Sequence, residues 1–141
     1  MCWYVEFKVV MNNKQNENIE NIEKIIEDFK IKPKRHSLRE VTLVKGSIAE
    51  GYRTALHCDC DNVKSKKDKD GERVQLLHYP KLFKNIIEQS GVKNIQVHWY
   101  WSKEHENLKN ENISISEFLK QHDAFELRSG VLYKILKDKY Y

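Results

Sequence analysis

The chain is poor in the residues that mark unusual protein classes. In 141 residues it has two prolines and five glycines, too few for a linker or a collagen-like repeat. It has three cysteines, an odd number, which argues for reduced thiols rather than a disulfide framework. No apolar run approaches the roughly 18–20 residues of a membrane span. The opening Met1-Cys2-Trp3-Tyr4-Val5-Glu6 lacks a basic stretch and meets an acid at once, so it does not read as a secretory signal. There is no glycine-rich phosphate loop, no paired histidine on a helix and no Gly-x-Ser-x-Gly elbow, so nothing names a common enzyme class.

What is present is the make-up of a globular domain. Apolar residues are 40% and charged residues 33%, with 25 Lys+Arg against 21 Asp+Glu and a net charge of +4. An excess this small permits a nucleic-acid partner without requiring one. The expectation is a single cytoplasmic α+β domain over residues 1–141, with no membrane partner.

Residues 3–11 alternate, with Trp3, Val5, Phe7, Val9 and Met11 on one face, as in a half-buried strand. Ile19, Ile22, Ile25, Ile26 and Phe29 recur at helical spacing, and Pro33 should stop that helix. Strands are expected at Leu38–Lys45 and Tyr52–Cys60, separated by a loop at Gly46–Gly51. Residues 62–73 hold almost nothing apolar and read as a mobile charged loop. Pro80 suits the first turn of a second helix, and Gly91 a left-handed residue ending it. Ile95–Trp101 alternates again, with its tryptophans inward. Ser114 and Glu117 make a capping box, and Ile113 and Phe118 the two positions of a hydrophobic staple. Phe125–Arg128 and Val131–Leu136 read as a hairpin around Ser129-Gly130. The order matches a ferredoxin-like βαββαβ core, its first and third strands central, with an added C-terminal helix and β-hairpin.

Two constellations carry chemistry. His57-Cys58-Asp59-Cys60, taken with Cys2, offers the thiolates and imidazole that zinc selects. Two features oppose a metal: the Cys-x-Cys spacing is short, and on a strand Cys58 and Cys60 face away from His57 and Asp59. The other reading is three small core hydrophobes. A thiol among Cys2, Cys58 and Cys60 with His57 or His98 as base would instead be a nucleophilic site.

The second constellation is the polar face of the sheet. Tyr4, Glu6, Lys8, Gln96, His98 and Tyr100 point away from the apolar stripes, and Arg53, His57 and Asp59 can join them. Acid, base, guanidinium and phenols on one rigid platform suit nucleotides, single-stranded RNA or small anions. Val97-His98-Trp99-Tyr100-Trp101 is not the glycine-rich aromatic signature of an RNA-recognition strand. Asp68-Lys69-Asp70-Gly71 fails as a calcium loop, because Lys66 and Leu77 stand where its first and last acids are needed.

Met1-Cys2-Trp3 together with Cys58-Asp59-Cys60 resembles small bacterial proteins of uncharacterised activity that open Met-Cys-aromatic and carry Cys-x-Cys-Asp. The resemblance implies no activity. It implies that the three cysteines belong together. The expected function is a binding module. It would hold a small molecule, nucleotide, metal such as zinc, or protein partner. Tyr4, Glu6, Arg53, His57, His98 and Tyr100 would serve the ligand, and Cys2, Cys58 and Cys60 the metal. A thiol-dependent enzyme and an adaptor or inhibitor acting through protein contacts are the alternatives.

Overall fold

A computed structural model of the chain describes residues 3–12, 19–31, 41–45, 49–54, 60, 62–69, 71–101 and 108–139. It is a mixed α+β structure. In chain order the elements are β1 (Trp3–Met11), α1 (Ile19–Ile31), β2 (Val41–Lys45), β3 (Ala49–Thr54), β4 (Val63–Asp68) and β5 (Gly71–Leu76). Then come α2 (Tyr79–Ile87), β6 (Val92–Trp101), β7 (Lys109–Ser114), α3 (Ile115–Asp123) and β8 (Val131–Leu136).

Alternation places β1 as expected. Trp3, Val5, Phe7, Val9 and Met11 are all buried, and the residues between them are half-buried or exposed. The matching stripe on β6 is Ile95, Val97 and Trp99, and on β8 it is Val131, Tyr133 and Ile135. Helices α1, α2 and α3 close over these stripes. Ile22 and Ile26 of α1, Leu82, Phe83, Ile86 and Ile87 of α2, and Phe118 of α3 join one hydrophobic cluster with them. Its aromatic spine is edge-to-face: Phe7 meets Phe83 at 5.3 Å, and Phe83 meets Phe118 at 6.0 Å. Such pairs add to the stabilisation from burial alone. Trp99 is fully buried and stacks on Tyr133 at 5.3 Å, so it belongs to the core.

Among the described residues, the main sheet has six strands in the order β2-β3-β1-β6-β8-β7. That differs from the four-stranded ferredoxin-like plan. β8 and β7 extend the sheet beyond β6, so β1 and β6 become its centre, not the first and third strands. The expected C-terminal hairpin is absent. β8 pairs antiparallel with β6 and parallel with β7, and α3 is the crossover between the two parallel strands. A parallel pair needs a long connection of this kind. The physical reason lies just before β8. Leu127 is fully buried and its carbonyl accepts the Val74 N–H at 2.7 Å, so this segment is drawn to β5. Gly130, at φ +74, then turns the chain back toward β6.

Residues 62–73, expected as a loop, contribute β4 and the first half of β5, a two-stranded ribbon apart from the main sheet. Val74 and Leu76, at or beyond the edge of that polar stretch, anchor it in the core. Arg73 ties it internally to Asp68 at 2.6 Å, and its guanidinium also donates to the Glu126 carbonyl at 2.8 Å. Gly71, the first residue of β5, closes the turn at φ +122. Two other boundaries shift. β3 begins at Ala49, inside the expected loop, and Cys60 lies in a turn. Helix α2 ends at Ile87 with Glu88 as its C-cap, so Gly91, at φ +83, serves the turn into β6.

Candidate functional site: the polar face of β1 and β6

Strands β1 and β6 pair antiparallel with Tyr4 opposite Tyr100, Glu6 opposite His98, and Lys8 opposite Gln96. Period-two alternation puts all six on the face away from the helices. Two of these rows form a connected cluster. The Tyr100 hydroxyl donates to Glu6 Oε1 at 3.0 Å, and His98 Nε2 lies 3.2 Å from Glu6 Oε2. Each carboxylate oxygen is thus held by a different neighbour. Tyr100 also stacks with Tyr4, ring centres 5.5 Å apart and planes 28° apart, and with His98 at 5.5 Å and 21°. Three rings form one stack with Tyr100 in the middle. The cluster is half-buried, with 30% of the Glu6 side chain and 15% of the His98 side chain exposed.

Directly opposed side chains on paired strands stand about 5 Å apart at Cβ, so the β1–β6 pairing, between distant parts of the chain, brings Tyr4 against Tyr100. Arg53 of β3 is the backbone partner of Glu6 on its other side, so Arg53, Glu6 and His98 share one row across three strands. His57, Cys58, Asp59 and Cys2 lie outside the described residues. Cys60 is exposed, and the Trp3 backbone N–H donates to its Sγ at 3.4 Å, which brings Cys60 to the start of β1. Among the described residues, no three His, Cys, Asp or Glu side chains gather as a metal would need.

Sequence reading missed the extension of this face onto β8. Lys134 pairs with Gln96 and so continues the Lys8–Gln96 row, and Asn112 of β7 pairs with Lys134. The signal was the alternation in Val131–Leu136 itself, but only its pairing with β6 aligns Lys134 with Lys8. Among the described residues, no helix is long and apolar enough to cross a membrane. No protein-family model, curated protein or solved structure matches the chain, and the reading of the site therefore rests on its own geometry.

Proposed function

We propose that the protein is a binding module whose polar sheet face takes a planar, hydrogen-bonding ring of the kind found in nucleotides. The observation that carries this is the Tyr4–Tyr100–His98 stack held in place by the Glu6 carboxylate. Aromatic rings fixed before binding lose little conformational freedom when a ligand stacks on them. Arg53 and His57 complete the ligand set in this proposal. The proposal also takes β2, β3, β1 and β6, with α1 and α2, as a ferredoxin-like core, supported by the antiparallel pairing of those four strands.

A thermal-shift and NMR titration with adenosine, uridine and free nucleobases tests it. The expected result is stabilisation by at least one of them and movement of the His98 ring protons, both lost in Tyr4→Leu. An unchanged response in Tyr4→Leu overturns the assignment, as does the absence of any perturbation at His98.

A second reading, a thiol or zinc site at Cys2, Cys58 and Cys60, has one observation in its favour. The hydrogen bond from the Trp3 N–H to Cys60 Sγ sets Cys60 beside the chain neighbour of Cys2. Thiol titration and zinc content of the purified protein decide it. Stoichiometric zinc supports a metal site, and one fast-reacting, low-pKa thiol supports a nucleophile. Three slow, ordinary thiols without zinc overturn both.

A further inference from the structure

We infer that the ligand of this face is single-stranded nucleic acid, its bases against the ring stack and its phosphates along Lys8 and Lys134. The inference rests on the ring-binding reading above and deepens it to a polymer.

Three observations carry it. The first is the arrangement of charge along the strands. The Tyr4–Tyr100 row comes first, the Glu6–His98 row next, and the Lys8–Gln96–Lys134 row third. From the first to the third is about 13 Å at the rise of a β-strand. The rings therefore stand at one end of this surface and the two lysines at the other, with the Arg53–Glu6–His98 row between them. A ligand with apolar ring faces at one end and negative charge at the other complements that order.

The second is the exposure of Lys8 in the basic row. Lys8 is exposed and Gln96 and Lys134 are half-buried. On β3 the partner of Lys8 is Gly51, which has no side chain to lie over it.

The third is shape. Small molecules are held by concavities that bury most of their surface. Among the described residues, two grooves of about 310 and 390 Å³ are lined from α1 and α2 and from α2 and α3 with the segment after β8, and neither includes a residue of the ring stack or the basic row. A sheet face covers only one side of what it binds. A polymer compensates by repeating the contact, with stacking on aromatics and phosphate contacts to lysines accumulating along the strand.

The test is fluorescence anisotropy with a fluorescein-labelled single-stranded oligouridylate of about ten nucleotides, within the length one such platform covers, and with a duplex of equal length. Single strand should bind more tightly than duplex. Tyr4→Leu should weaken binding roughly ten-fold, as loss of one stacked base does. The Lys8→Gln/Lys134→Gln pair should lower the slope of log affinity against log salt by about 1.4, since each phosphate contact on a single strand contributes about 0.7. Lys64→Gln/Lys66→Gln/Lys67→Gln on the β4 ribbon should leave both unchanged. If the ribbon variant abolishes binding and the Lys8/Lys134 pair does not, the inference is overturned. If adenosine or uridine binds in a Tyr4-dependent way but the oligonucleotide binds no better, the polymer fails and the ring-binding reading stands. If neither binds, both fail.

Discussion

Glu6 and His98 are direct cross-strand partners, and the Glu6 Oε2 to His98 Nε2 distance of 3.2 Å leaves the other carboxylate oxygen to the Tyr100 hydroxyl. A single carboxylate thus links two rings on a partly solvated face. Tyr100→Phe keeps the stack and removes one hydrogen bond. The expected cost is about 0.5–1 kcal/mol, the lower part of the usual range because water can replace the lost partner. The urea midpoint should fall with the slope unchanged; no shift in midpoint would show that the hydroxyl is fully compensated by solvent.

Ser114 caps α3 by accepting the Glu117 N–H at 3.2 Å. The reciprocal half of the capping box is not made; Glu117 Oε1 accepts from Gln121 Nε2 at 3.2 Å. Ser114→Ala should therefore cost about 0.5–2 kcal/mol through the serine hydroxyl alone. Glu117→Gln should cost much less, and a denaturation series of the two variants distinguishes a one-sided cap from a reciprocal one.

Arg73 braces the β4–β5 ribbon internally through Asp68 and ties it to the body of the protein through the Glu126 carbonyl. Limited trypsin digestion should first cut at the turn, after Lys69, while Lys64, Lys66 and Lys67 are slowed by the paired strand. Arg73→Ala should accelerate cleavage at those three lysines several-fold. Cleavage of all four lysines at one rate in the unmodified protein would contradict a paired ribbon.

Burial pushes the Tyr133 phenol above its ordinary value of 10.0, while the Arg128 N–H that donates to its oxygen at 3.0 Å works in the opposite direction. A raised folded-state value means that the folded chain keeps this proton where the unfolded chain has lost it. Its stabilising effect is complete below about pH 10 and is lost as pH rises through the folded-state value. Urea midpoints measured near pH 8 and near pH 10.5 should show a decline that is smaller in Tyr133→Phe. That variant should also lose about 1 kcal/mol near pH 8, since it leaves the Arg128 N–H without its acceptor. Equal declines in both proteins would assign the alkaline loss to other groups.

Much of this molecule is determined by the sequence alone. The alternation of Trp3–Met11 and Ile95–Trp101 specifies two strands and their inward faces, because a period of two admits one buried side. The spacing of Ile22, Ile25, Ile26 and Phe29 specifies α1, and Ser114 specifies where α3 begins. The same alternation puts Tyr4, Glu6, His98 and Tyr100 on the opposite face. Other features were decided only in three dimensions. Strand β7 carries Lys109, Asn110, Glu111 and Asn112, all exposed, and is a strand because β8 offers it an edge to pair with. The β4–β5 ribbon is polar along most of its length and is held by Val74, Leu76 and the Arg73 contacts. Leu127 and Gly130 sent β8 to β6 where local turn chemistry pointed to a hairpin. Side-chain periodicity records which way a residue faces, and that is local. Which strand lies beside which is settled by competition among distant edges for the same hydrogen bonds and the same core, so the row joining Lys8 to Lys134 exists only in the folded sheet.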